Sequence, residues 1–162
     1  MQSDLIGELQ ALTVGLWART GLGDCVQIPR EPQDNGSAHV EVVADRYDIV
    51  VTERGSEVQR IAGLCLSDAA RWFLFDMARE HASSAELRNR RAPKDAPPLA
   101  NGLKDDGYSR WNWMAPTVEI MRQISPDLGD WTLQKYASVL GRAPLADDEI
   151  RNARYLLPPA FE

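Results

Sequence analysis

The sequence predicts an α+β fold: a single domain over residues 1–162, built as an antiparallel β-meander with helices packed on one side. Three observations predict it. Residues 38–66 alternate apolar and polar with period two, the segments on either side repeat near 3.6, and the links between the putative strands are only a few residues long. Links that short suit antiparallel neighbours, because parallel pairing needs a crossover of a dozen or more residues. A chain of 162 residues suits one hydrophobic core. Its 44% hydrophobic content is too high for intrinsic disorder.

Each element follows from local chemistry. Leu5, Leu9, Leu12 and Leu16 recur on one helical face, widened by Ile6 and Trp17. Ser3 or Asp4 can cap that helix and Gly21 can stop it, giving residues 4–19. Cys25-Val26-Gln27-Ile28 alternates and reads as a short first strand ended by Pro29. Residues 38–44 and 47–53 are rich in Val, Ile, Tyr and Thr, with Asp45-Arg46 between them. Arg54-Gly55-Ser56 supplies the next turn, and residues 58–66 the fourth strand.

The period then changes. Ser67 can cap a helix whose face carries Ala70, Phe73, Leu74, Met77, Ala78 and His81, running to about residue 85 or beyond. Residues 87–99 hold Arg88, Arg90, Arg91, Lys94 and three prolines, a helix end followed by a surface connection. Trp111 and Trp113 stand at strand spacing, which would aim both indoles to one face of a strand over 108–114. Residues 118–124 fit strand or helix equally. Thr132 can cap a helix ending at Gly141, and Asp147 another ending near Leu156.

Catalytic chemistry is poorly supplied. His39 and His81 are the only histidines, and neither stands near a Ser or Cys motif that a general base would activate. His81 falls among apolar residues of its helix. Cys25 and Cys65 lie on putative strands without the basic flanks that lower a thiol pKa, and read as buried small hydrophobes. Two Cys with two His give no zinc spacing. Gly21-Leu22-Gly23 follows a helix and lacks the third glycine of a dinucleotide loop. No catalytic, cofactor or metal residue is therefore assigned.

The charge narrows the partners. The net charge is -6, and residues 1–66 carry most of it, with 10 acidic and 5 basic side chains. That sign opposes phosphate backbones, which bind through Lys and Arg contacts. Ala137 and Gly141 have helix-turn-helix spacing, but the following helix opens with Asp147-Asp148-Glu149, which would repel DNA. No apolar run reaches the roughly 20 residues of a membrane span, and the N-terminus lacks a basic, apolar leader. The expected location is cytoplasmic, with no nucleic-acid or membrane partner. Arg88 to Arg91 reads either as a solvated helix end suited to the macrodipole or as an anion or partner contact.

Trp17-Ala18-Arg19-Thr20-Gly21, the strand Tyr47-Asp48-Ile49-Val50-Val51-Thr52-Glu53 with Arg54-Gly55, and the helix Ala69-Ala70-Arg71-Trp72-Phe73-Leu74-Phe75 together resemble a group of actinobacterial immunity proteins. These are the antitoxins of the tuberculosis-necrotizing-toxin class of secreted NAD glycohydrolases, and the resemblance covers roughly residues 5–110. It implies a non-enzymatic cytosolic inhibitor that binds one cognate toxin, one to one, and covers its NAD-binding cleft. It brings no contact residues with it. Tyr and Trp dominate the centres of protein interfaces, so Tyr108, Trp111 and Trp113, with Asp105 and Asp106 beside them, are the candidate partner-binding cluster. A cytosolic chaperone or adaptor for an exported effector would share the size and charge. A small hydrolase would need His39 or His81 beside a carboxylate in a pocket.

Overall fold

A computed structural model of the chain describes residues 4–158. The fold is α+β: helix α1 (Leu5–Trp17) with a 3-10 turn at Ala18–Thr20, strands β1 (Asn35–Val43), β2 (Arg46–Glu53) and β3 (Ser56–Leu64), then helices α2 (Leu66–Asn89), α3 (Trp111–Ile124), α4 (Pro126–Arg142) and α5 (Asp147–Asn152). The chain divides into two compact units after Leu74, with α2 running through the division.

The first unit is the meander with its helices. The sheet has order β1-β2-β3, antiparallel throughout. Register places Val40 opposite Ile49 and Ile49 opposite Ile61, so these share one face. Leu9 of α1 and Ala69, Ala70 and Phe73 of α2 bury that face around Val40, Tyr47 and Ile49. Tyr47 adds a polar tie, its hydroxyl donating to the Leu5 carbonyl at 2.9 Å. Asp4 caps α1 by accepting from Gly7 N–H at 3.0 Å, and Arg30 holds the same carboxylate. Ser3, the other expected cap, lies outside the described residues.

The opposite face carries His39, Glu41, Asp48, Val50 and Arg60 by the same register. Arg60 of β3 reaches Glu41 of β1 at 2.9 Å, Asp48 of β2 at 2.8 Å and Glu57 at 2.9 Å. One guanidinium thus spans all three strands. The Gly63 N–H, the first and largest influence, and Arg60 hold the Asp48 carboxyl below the usual carboxylate range.

Residues 25–28 do not form the expected strand, so the meander has three strands and not four. Gln10 takes their backbone groups instead: its side chain accepts from Ile28 N–H at 2.7 Å and donates to the Val26 carbonyl at 3.2 Å. Pro29 offers only a carbonyl, which accepts from Val40 N–H at 2.9 Å. Cys25 therefore lies outside the strands, and so does Cys65 because β3 ends at Leu64, short of residue 66; both are half-buried rather than buried.

The second unit is helical, and here the sequence signals mislead. Residues 111–124 are one helix, so the expected strand over 108–114 is absent and the ambiguous 118–124 stretch is resolved. Helix α4 begins at Pro126, not Thr132. Ser125 Oγ accepts from Leu128 N–H at 3.2 Å as its cap, and Pro126 occupies the first helical turn. Thr132 is mid-helix, its hydroxyl donating to the Leu128 carbonyl at 2.7 Å. Helix α5 follows Ala146 and ends at Asn152, short of Leu156. His81 is exposed on α2, not packed among apolar groups.

Helices α3 and α4 cross where Gly129 meets Arg122. A Cβ on Gly129 would stand 2.6 Å from Arg122 Cβ and 2.9 Å from its Cα. Gly129→Ala gains roughly 1 kcal/mol of helix propensity yet is expected to destabilise by about 1–3 kcal/mol, because the crossing must open. Denaturant midpoints at unchanged m-value check this. The β1–β2 turn is Ala44-Asp45, one residue earlier than expected, with φ of 49° and 59°. Two left-handed residues make the hairpin turn that favours Asn or Gly first. Ala44→Asn is expected to raise stability by about 0.5–1 kcal/mol, read as a higher thermal midpoint; a lower one contradicts the turn assignment.

Candidate partner-binding surface

The second unit places Asp105, Asp106, Tyr108, Trp111 and Trp113 around one corner, with different accessibility. Asp105 is 3% exposed. Its carboxylate accepts from Gly107 N–H at 2.8 Å, Asn152 Nδ2 at 2.8 Å and Arg151 Nη2 at 2.6 Å. The Arg151 guanidinium, then the Gly107 N–H, hold its carboxyl below the usual range. Asp106 is exposed, closes a turn onto Tyr108 N–H at 2.9 Å, and pairs with Arg90 Nη1 at 2.8 Å. Gly107 is obligatory between them. Its φ is +86°, and a Cβ there would stand 2.0 Å from the Arg91 carbonyl oxygen.

Trp111 is 4% exposed and belongs to the unit's core, with its indole N–H donating to the Leu156 carbonyl at 3.0 Å. Trp113, two residues on, points elsewhere because the segment is helical. It is half-buried, donates to the Tyr108 hydroxyl at 3.2 Å, and meets the Tyr136 ring edge-on at 5.9 Å. Tyr136 is buried between Trp113 and Phe75, whose centroid lies 5.8 Å away, and burial pushes its phenol up to about 12. Phe75 continues to Trp131 at 5.6 Å, and the Lys135 ammonium lies over both rings at 5.3 and 5.5 Å. Tyr108, Trp113, Phe75 and Trp131 each keep part of their surface accessible.

Arg90 organises the accessible part of this corner. Its guanidinium forks onto the buried Glu86 at 2.9 and 2.8 Å, reaches Asp106, and lies 4.8 Å over the Tyr108 ring. Such a stacked, bidentate arginine fixes the ring it covers. The sequence reading had grouped Arg90 with its basic neighbours and missed this role. Its partners stand four residues before it and sixteen after, and only the first spacing is visible in a helix.

The segment after α4 locks the corner from behind. Arg110 donates to Glu149 through Nε and Nη2, both at 2.8 Å, and to the carbonyls of Ala143 and Pro144. Asn112 donates to the Asn152 carbonyl at 3.0 Å and accepts from Arg154 N–H at 2.7 Å. Burial by itself would raise the Glu149 pKa. The Arg110 guanidinium and the N–H groups of Ala146 and Arg110 outweigh it and hold the carboxyl at about 2.

The remaining residues singled out from sequence do not assemble into a reactive site. His39 is 1% exposed, with Nε2 3.2 Å from Glu41 Oε1 and Nδ1 buried without a hydrogen-bond partner among the described residues. Cys65 Sγ lies 3.2 Å from Ser67 Oγ, and burial pushes the Cys25 thiol up. Among the described residues, no three His, Cys, Asp or Glu side chains group to hold a metal ion, and no helix is long and apolar enough to cross a membrane.

A family model described as immunity protein 63 matches residues 44–138, more than half the chain. No curated protein and no solved structure matches it.

The depressed carboxylates make an acid signature. A carboxyl with a folded pKa below its unfolded one stabilises the fold above the unfolded value, and that contribution is lost as pH falls through the folded one. For Glu149 the window runs from 4.5 down to about 2. Thermal midpoints are expected to fall across it, and Glu149→Gln, whose side chain does not titrate, should flatten that part of the profile while lowering stability at neutral pH. An unchanged slope contradicts the Arg110–Glu149 clamp.

Proposed function

The chain belongs to the immunity protein 63 family, and we propose that it neutralises one cognate toxin, a secreted NAD glycohydrolase, by binding it one to one in the cytoplasm and covering its catalytic cleft. Family membership carries the immunity function. The choice of an NAD-consuming target is supported by the likeness of residues 17–21, 47–55 and 69–75 to antitoxins of that class. Inhibition by occlusion needs no catalytic group, only a stable and complementary surface.

The corner built on Arg90 supports a docking role. Tyr108 and Trp113 are partly accessible aromatics already held by Arg90, by each other and by Tyr136. Fixed aromatics lose little freedom on binding, which is why they serve as interface anchors. The contact residues proposed are Asp106, Tyr108 and Trp113, with Asp105 and Trp111 as the buried supports that set their geometry. Of the five residues picked from sequence, these two would act through the others.

Co-expression with the toxin domain encoded by the adjacent gene tests the proposal. Cells should survive, and the purified pair should elute as a one-to-one complex in which NAD consumption stops. Tyr108→Ala and Trp113→Ala should each weaken the complex by roughly tenfold or more, about 1.4 kcal/mol. A complex that requires the toxin's export segment and leaves NAD consumption intact would instead identify a secretion chaperone. Protection against a toxin that does not consume NAD would overturn the target class alone.

A further inference from the structure

We propose that the end of α2 and the 99–107 loop form a cationic, leucine-edged rim that docks an acidic segment of the toxin. This rests on the immunity reading above and names the chemistry of the partner surface. Residues 88–104 carry Arg88, Arg90, Arg91, Lys94 and Lys104 against a single carboxylate, Asp95, in a chain whose net charge is -6. The ordinary explanation for cations at a helix end is the macrodipole, equivalent to about half a negative charge there. Other groups already serve part of that need. Arg91 donates to the carbonyls of Arg88 and Arg90, and Arg154 donates to the Asn89 carbonyl at 3.1 Å. Arg90 is committed to Glu86 and Asp106.

Arg88, Lys94 and Lys104 are what is left over. All three are exposed, and none has an ion pair among the described residues. Arg46 and Arg54 are also exposed without an ion pair among the described residues, but they stand in the acidic stretch 1–66, whereas Arg88, Lys94 and Lys104 lie in a segment with a single carboxylate. The loop is fixed against the helix end by the Arg90–Asp106 pair and by the close fit of Gly107 on the Arg91 carbonyl. Two large exposed apolar side chains adjoin the surplus cations in sequence: Leu87, next to Arg88, is 66% exposed and Leu103, next to Lys104, is 63% exposed. Surplus positive charge with exposed leucines fits a segment that offers carboxylates and apolar side chains together. A bare phosphate backbone would leave the leucines unused.

The test is binding of the adjacent-gene toxin domain to the full chain and three variants. Arg88→Glu with Lys104→Glu should slow association at low salt by about tenfold or more and reduce its salt dependence, as reversed rim charges do. Leu87→Ser with Leu103→Ser should mainly speed dissociation. Arg46→Glu, an exposed arginine of the first unit, is the control and should change neither rate comparably. All five positions are exposed, so thermal midpoints should match the parent and show that each variant folds. Arg91 is left intact because it caps the helix. If the parent binds and both paired variants bind equally well, the rim is not the docking surface although the immunity function stands. If the parent does not bind the toxin domain, both readings fall. A DNA duplex or phosphatidylglycerol vesicles that bind the parent, and lose it with Arg88→Glu and Lys104→Glu while toxin binding is retained, would assign the rim to polyanions and overturn the proposal.

Discussion

The buried carboxylate of Asp105 is the constraint on which the corner of the second unit depends. A carboxylate taken from water needs its lone pairs filled. Asp105 fills them from three directions: the Gly107 N–H within its own turn, and Arg151 and Asn152 from forty-six and forty-seven residues onward. Those partners draw the last helix and the chain after it against the start of α3. There Asn112 and the Trp111 indole bind backbone groups of residues 152–156. The turn that satisfies Asp105 also sets Asp106 toward Arg90, and Arg90 sets Tyr108. The accessible aromatics therefore inherit their positions from a group no partner can reach.

The same chain of dependence explains what the sequence disclosed. Strands β1 to β3 were legible from their Val, Ile, Tyr and Thr content and the short links between them, and the start of α2 from apolar residues recurring near 3.6. Residues 25–28 carry the same alternation without forming a strand, because Gln10 claims their backbone groups from fifteen or more residues away. Trp111 and Trp113 alternate over too few residues to separate a strand from the opening of a helix. The cap signal Ser125-Pro126-Asp127 is present, and Thr132 as a cap would draw the boundary seven residues too late. Thr132 instead answers a mid-helix carbonyl, a use of a hydroxyl that carries no positional mark.

The proposed contact cluster is only partly legible in the sequence. Aromatic content pointed to residues 105–113, and five side chains were treated as equivalent. Asp105 and Asp106 are adjacent, chemically identical and opposite in accessibility, since alternate residues of a tight turn face opposite ways. Nothing local distinguishes them. The difference lies in Arg151 and Arg90, one far ahead in the chain and one behind. The pairing of Arg110 with Glu149 is equally non-local, and it converts the acidic opening of α5, which looked only like a barrier to DNA, into a fastening.

Net charge and local charge answer different questions in such a molecule. At physiological ionic strength a charge is screened beyond roughly 8 Å, so the excess of carboxylates in residues 1–66 governs the approach of a partner but not the fit of each contact. Within that sheet the excess is partly internal, since Arg60 alone engages Glu41, Asp48 and Glu57. At the end of α2 the balance runs the other way, with Glu86 and Asp106 paired to Arg90 and with Arg88, Lys94 and Lys104 remaining. The sign of the whole chain therefore excludes little about any one face. What a face can bind is set by the groups left unpaired after the fold has satisfied its own, and that remainder has to be counted residue by residue.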